Sequence, residues 1–195
     1  REPYQIEVGD GDAEVYKNIG RNMAVRDLAY WMITTSSNLA TNVLVELLGV
    51  DTIQHSLDEL EIPGLRVIRG VEDQAAYEAG LNNEVTANGL LKLLRVIAEK
   101  RAFSRDSSEQ MLEIMLDQRY RSGIPAGLPD EAKIAHKTGN ISTVHHDAGI
   151  VFMEDRKPYV LVVLTRFAPE VGRGKAVAEI SREVHSALAR LSHAG

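Results

Sequence analysis

The sequence predicts an α+β fold: a mostly helical part first, then a small antiparallel sheet covered by a C-terminal helix. Three observations predict it. Apolar residues recur at helical spacing from Val25 to Leu116, the period shifts to that of strands after about residue 130, and the chain closes on one long amphipathic segment. Helices followed by strands, rather than alternating with them, is α+β order.

Residues 1–22 read as irregular and polar. Gly9-Asp10-Gly11-Asp12 is a turn signal rather than a calcium loop, because the later acidic ligands of such a loop are missing. Val25, Leu28, Ala29, Met32 and Ile33 then form one apolar helix face, with Asn22 as the expected cap. Leu39, Val43, Leu47 and Leu48 form a second, stopped by Gly49. Between them lies the uncharged polar break Thr34-Thr35-Ser36-Ser37-Asn38. Asp51 is expected to cap a short helix carrying Ile53, Leu57 and Leu60, ended by Pro63-Gly64. Residues 65–86 read mostly as loop. Thr86 is expected to cap a helix with Leu90, Leu91, Leu94, Ile97 and Ala98 inside, and a further helix carries Met111, Leu112, Met115 and Leu116.

Pro125, Gly127 and Pro129 break the helical pattern and mark a lobe boundary, with residues 1–130 on one side and 131–195 on the other of a single compact domain. Ala132–Gly139, Asp147–Met153 and Pro158–Phe167 are the expected strands. The tight polar link Glu154-Asp155-Arg156-Lys157 predicts an antiparallel hairpin for the last two. Val177, Ile180, Val184, Leu188 and Leu191 line one face of the final helix. Three strands with one open face are marginal alone, so something else is expected to complete the sheet.

Composition narrows the function. With 195 residues, 44% apolar and 26% charged, the chain has the makeup of an ordinary globular domain. Lys+Arg 22 against Asp+Glu 28 leaves a net charge of −6 without basic clusters, which argues against nucleic acid as a partner. No apolar run reaches the roughly 20 residues of a membrane span. There is no Cys, which excludes a thiolate nucleophile and Cys-ligated zinc. The chain opens at Arg1 with neither Met nor a leader, and is expected to be a processed or truncated product.

Two short segments carry chemistry. Lys137-Thr138-Gly139 at a strand end offers an ammonium, a hydroxyl and a bare backbone, a set suited to gripping a carboxylate along a strand edge. Ser36-Ser37-Asn38 sits at a helix start, where such residues also serve as caps. Capping and catalysis coexist there, because only one side chain need cap. His145-His146-Asp147 contains metal-ligand types, but neighbours on a strand point to opposite faces, so no joint site is expected. Tyr30, Trp31 and the Met pairs read as packing.

Together the two segments resemble motifs of the penicillin-recognising serine hydrolases, the class A β-lactamases and low-molecular-weight penicillin-binding proteins. That family is defined by Ser-x-x-Lys, Ser-x-Asn and Lys-Thr-Gly. The helix beginning Met23-Ala24-Val25-Arg26, the strand with Gly149-Ile150-Val151 and the C-terminal helix are similar to the family too. Glu78-Ala79-Gly80-Leu81-Asn82 fits the Glu-x-x-Leu-Asn of the class A omega loop, with Glu72 as a rival acid. The resemblance implies a β-lactamase/transpeptidase-like fold. It also implies Ser36 as proton relay to the leaving nitrogen and Lys137 as its electrostatic support. Thr138 would then bond the substrate carboxylate, Asn38 the side-chain amide, and the Asn140 N–H beside Gly139 the oxyanion. Glu78 would activate the deacylating water and Asn82 position it. Many members carry an Arg where Ala148 stands, and Arg166 is the expected compensation.

No Ser in the chain is followed by Lys three positions on, so the nucleophile motif is absent. The resemblance implies that it lies in a segment preceding Arg1, together with the first strands of the sheet. The expected function is therefore a serine β-lactamase, periplasmic or secreted, with a β-lactam or peptidoglycan stem peptide as ligand and no cofactor. A D-alanyl-D-alanine carboxypeptidase of the same fold and a non-catalytic binding module are the alternatives.

Overall fold

In the computed structural model, residues 10–141, 144–154, 156–166 and 175–192 are described. A 3-10 turn at Asp10–Asp12 leads into α1 (Ala13–Tyr16), α2 (Val25–Thr34), α3 (Asn38–Leu48) and α4 (Val50–Glu59). The turn expected at Gly9–Asp12 is thus a helical turn from Asp10 on, and Gly9 lies outside the described residues. Asn22 does not cap α2: the N-cap position is Ala24, with no side-chain bond. Asp51 does not cap α4 either, because Gly49 ends α3 and begins α4 in one residue, which puts Asp51 in the first turn. A carboxylate there still favours the positive end of the helix dipole.

Residues 65–86 are more ordered than a loop. They form β1 (Leu65–Arg66) and β2 (Glu84–Val85), paired antiparallel, with α5 (Gln74–Glu78) between them. Asp73 caps α5 by accepting from the Ala76 N–H at 3.0 Å. Elements this short carry too little periodicity to be read in sequence. Thr86 caps α6 (Ala87–Ala98) through the Gly89 N–H, as expected, and Ser104 caps α7 (Arg105–Leu116) through the Ser107 N–H.

A 3-10 turn at Ile124–Gly127 then enters the sheet, which has the order β3 (Ile134–Ile141), β4 (Val144–Met153), β5 (Arg156–Val163). Both pairings are antiparallel, and Met153 faces Arg156 across the tight β4–β5 link. Strand β4 starts three residues before the expected Asp147, because β3 and β4 run on together to the Ile141–Val144 pair. Phe167 lies outside the described residues. The sheet is followed by α8 (Lys175–Ser192).

Strand alternation assigns the two faces. Ala135, Ala148 and Ile150 pack with Leu94, Ile97 and Met115 of α6 and α7. Ile134, Val151 and Val163 pack with Val177 of α8 and with Ile124. Both faces of the sheet are therefore covered, one by α8 and the other by the preceding helices. A separate core of Val15, Leu28, Ala40 and Leu44 holds α1, α2 and α3 together. Val25, Val43, Leu47, Leu48, Leu91, Leu116, Ile180 and Leu191 were expected inward and are exposed. Each sits at the margin of its apolar stripe, which is wider than the contact it makes.

One polar contact anchors the helical part. Asp12 is buried, accepts from Ser37 Oγ at 2.5 Å and accepts from the Leu39 N–H at 3.1 Å. It thereby ties the first turn to the start of α3. Asp12→Ala leaves a buried hydroxyl and an amide without that acceptor, at a cost of about 1–3 kcal/mol. The expected result is a Tm lower by roughly 2–10 °C in a thermal melt followed by circular dichroism; an unchanged melt would contradict this role.

Candidate active site

The backbone break between α2 and α3 is built so that its two serines diverge. Ser37 caps α3, its Oγ accepting from the Ala40 N–H at 3.0 Å. Ser36 takes a left-handed conformation, φ 55°, which costs a non-glycine residue about 1–2 kcal/mol. That strain turns its hydroxyl away from the cap and toward the sheet. There the Lys137 Nζ donates to Ser36 Oγ at 2.5 Å, across 101 residues of sequence. Lys137 also donates to the Thr138 carbonyl at 2.6 Å. An ammonium has three N–H groups, so one remains to grip an incoming anion. Burial pushes the Lys137 pKa down to about 8, against the opposing pull of Asp147. The amine therefore titrates near 8, so both its charged and its neutral form are accessible close to that pH.

The structure brings Asn38 into the same site and places a carboxylate on it. Asn38 Nδ2 donates to Glu72 Oε1 at 2.6 Å. That contact is engineered one turn further along α3. Buried Asn42 donates to the Val71 carbonyl at 3.0 Å and accepts the Val71 N–H at 2.7 Å. Gly70 permits the approach, since a Cβ there would lie 2.3 Å from Asn42 Oδ1. The next residue, Glu72, is then held over Asn38, itself at φ 58°. Asn83 braces the loop from the far side, accepting the N–H groups of Ile68 and Arg69 and donating to the Arg69 carbonyl.

Glu78, the acid expected for deacylation, is not brought to Asn38 or Lys137. It ends α5, exposed, and its carboxylate accepts from Gln74 Nε2 one turn back. Asn82 lies in the stretch after α5, and its neighbour Asn83 makes the loop's side-chain bonds. The Glu-x-x-Leu-Asn match therefore falls six residues past the carboxylate that reaches the site. Asn42 and Asn83 were missed in sequence. The available signal was an Asn four residues after Asn38, inside a helix where Asn is disfavoured unless its side chain is used.

On β3, Thr138 is buried opposite Asp147, while Gly139 and Asn140 are exposed at the edge opposite His146 and His145. A Cβ on Gly139 would meet nothing nearer than His146 Cβ at 3.7 Å, so the open space there faces outward. Strand β3 is an edge strand among the described residues, and its free N–H and C=O groups can pair with an extended ligand. Arg166 pairs with Val144 on the other side of β4. It is close enough to His146 to help depress that ring's pKa, behind the larger effect of burial. It thus adds positive charge to the same end of the sheet, with β4 between it and Lys137.

His145, His146 and Asp147 diverge. His146 Nδ1 accepts the Thr165 N–H at 3.0 Å, and Asp147 lies beneath the sheet against His136. Among the described residues no group of three or more His, Asp or Glu side chains is placed to hold a metal ion. Tyr30 and Trp31 stack edge to face, and Arg119 covers the Trp31 ring at 5.1 Å. Two grooves of about 490 and 480 Å³ lie away from this site, one beside Phe152 and His185, the other between α4 and the β1–β2 pair. Neither groove is lined by Ser36 or Lys137.

Comparison with known proteins bears on this arrangement. A β-lactamase from Bacteroides uniformis is 27% identical over 180 residues, 85% of this chain and 60% of the relative. The extended-spectrum β-lactamase PER-1 of Pseudomonas aeruginosa is 23% identical over 175 residues, 82% of this chain and 55% of the relative. The chain thus spans little more than half the length of these curated relatives. Among solved structures, a point mutant of PBP-A in an acyl-enzyme complex with penicillin G superposes with a TM-score of 0.77 at 29% identity, over 86% of this chain and 62% of the other. A variant of the reconstructed last common ancestor of Gram-negative class A β-lactamases superposes with a TM-score of 0.84 over 96% of this chain and 73% of the other; at 24% identity it speaks for the fold alone. The model of the Beta-lactamase enzyme family matches residues 1–188, and with both motifs meeting in one site the chain belongs to that family.

Proposed function

We propose that this chain is the substrate-gripping, C-terminal part of a class A-like serine β-lactamase, which opens the cyclic amide through an acyl-enzyme. The observation that carries the reading is the Lys137–Ser36 contact, with the Asn38–Glu72 pair beside it. In this mechanism the nucleophilic Ser comes from a segment outside these 195 residues and attacks the lactam carbonyl. Ser36 passes a proton to the leaving nitrogen. Lys137 polarises Ser36 and attracts the substrate carboxylate, and Thr138 bonds that carboxylate. The backbone N–H of Asn140 completes the oxyanion hole beside Gly139. Asn38 holds the side-chain amide of the substrate. Glu72, rather than Glu78, is the base that directs water at the acyl-enzyme, because it is the carboxylate held at Asn38. The location proposed is the bacterial periplasm or exterior.

The likeness to PBP-A favours a second reading, a penicillin-binding D-alanyl-D-alanine carboxypeptidase with the same grip. The absence of Ser-x-x-Lys from the chain keeps a third in play, a module that binds peptidoglycan stems without turnover. The reading frame upstream of Arg1 separates this third reading from the other two, since an in-frame Ser-x-x-Lys excludes it.

Three outcomes test the proposal. The 195-residue chain mixed with a chromogenic β-lactam is expected to give neither a colour burst nor a mass-spectrometric adduct, and a stoichiometric adduct on any of its own serines would refute the role given to Ser36. In calorimetric titration, binding of benzylpenicillin should weaken as pH rises through about 8, because the Lys137 ammonium is charged below that pH and neutral above it. Lys137→Ala should bind weakly at every pH, and a flat wild-type profile counts against the Lys137 grip. In the complete enzyme, Glu72→Gln should slow release of the acyl group by about 100-fold or more, while Glu78→Gln leaves it unchanged; the reverse pattern would restore Glu78, and no effect from either points to the peptidase.

A further inference from the structure

The sheet face that carries Lys137 holds two further polar groups, His146 and Arg166, that the mechanism above leaves unused. Strand alternation puts Lys137 and Gly139 of β3 on one face, together with their partners Ala148 and His146 of β4. The bridge between Val144 and Arg166 continues the β4–β5 register that pairs Asp147 with Val163, so Arg166 stands on this face too. A row of polar groups therefore crosses the sheet from the Lys137 ammonium past the His146 ring to the Arg166 guanidinium. His145 and Asp147 fall on the other face, where Asp147 accepts from the Ile124 N–H and meets His136.

His146 is set as a donor without charge. Its Nδ1 accepts the Thr165 N–H at 3.0 Å, so the ring proton sits on Nε2. Protonating Nδ1 would set two donors against each other, and burial, ahead of the charges of His145 and Arg166, lowers the ring's pKa. The ring is open to the β3 side because residue 139 is glycine: a Cβ there would stand 3.7 Å from His146 Cβ, and without one a notch is left beside it. Arg166 is exposed, and no ion pair among the described residues engages it. The acid at the site, Glu72, is bonded by Asn38 on the helical side.

A ligand gripped by Lys137 and Thr138 and reaching the Asn140 N–H spans Gly139, and a group that it carries on this face overlies His146. There it meets a neutral N–H donor between two cations, with no acid in the row, which is the recognition chemistry of a carboxylate. We propose that His146 and Arg166 form a second anion-holding subsite beside the Lys137 grip, which selects ligands whose acyl side chain ends in a carboxylate. The proposal rests on the functional reading of Lys137 and names the substrate class for it, lactams acylated by a dicarboxylic acid. The two residues divide the work. His146 Nε2–H supplies a directed hydrogen bond, which an amide carbonyl accepts as well as an acid does, and Arg166 supplies the charge that tells them apart.

The test compares two penicillins acylated with adipic acid, one ending in the free carboxylate and the other in the isosteric carboxamide. Each is titrated calorimetrically into the full 195-residue chain at low ionic strength. The carboxylate is expected to bind about 5-fold tighter, and added salt should shrink that ratio. Arg166→Gln removes the charge from an exposed position and should bring the ratio to about one. His146→Leu should lower the ratio, and His146→Gln, which keeps an N–H at similar reach, should restore most of it. A loss of packing alone would weaken both ligands alike and leave the ratio unmoved. Equal affinity of the two ligands for the wild-type chain, or a ratio that survives Arg166→Gln or His146→Leu, would overturn the subsite and leave the Lys137 grip standing. If neither ligand binds, the grip itself fails and the subsite with it.

Discussion

Everything in this molecule converges on taking one ammonium out of water and still keeping it useful. The Lys137 amine is partly buried where the sheet meets the start of α3, and an ammonium withdrawn from water without partners is among the costliest arrangements a protein can contain. The fold answers with two acceptors: a hydroxyl from a strained turn 101 residues earlier in the chain and a carbonyl from the next residue on the strand. The helices and the sheet are thereby joined by a specific polar contact as well as by packing, since Lys137 donates directly to Ser36.

The reach of the sequence follows from the physics of each feature. Ser36, Asn38, Lys137 and Thr138 were legible because their motifs are short, lie at element ends and retain their meaning without knowledge of the fold. The long helices and the β4–β5 hairpin were legible because period and turn chemistry are local properties. The carboxylate was not. Glu72 and Glu78 lie in one acidic segment; the motif match favoured Glu78 on spacing, while Glu72 is the one that Asn38 bonds. What decides between them is the two-bond clamp from Asn42 to Val71, a contact between α3 and a loop 29 residues later. Spacing along a chain carries no information about which turn of a helix a loop will settle on. The same blindness hid α5 and the β1–β2 pair, whose few residues show no period.

His136 and Asp147 illustrate a different limit. In sequence His136 carries no signal of its own, and Asp147 is the last member of a His-rich triplet whose neighbours alternate between the two faces of β4. Alternation also carried the further fact that Asp147 shares its face with His136, but only once the register of β3 on β4 is known. A slip of one residue would have moved Asp147 to the face that carries Lys137. Register is thus a determinant of the site's electrostatics as well as of its packing.

The left-handed backbone at Ser36 has an evolutionary corollary. Glycine is the residue that position prefers on conformational grounds, and serine is tolerated there at a standing energetic penalty. On the proton-relay role proposed for Ser36, folding and chemistry pull residue 36 in opposite directions. A descendant that gives up that reaction gains stability by drifting to glycine, so on that reading the identity of this single residue marks whether a lineage still uses the site.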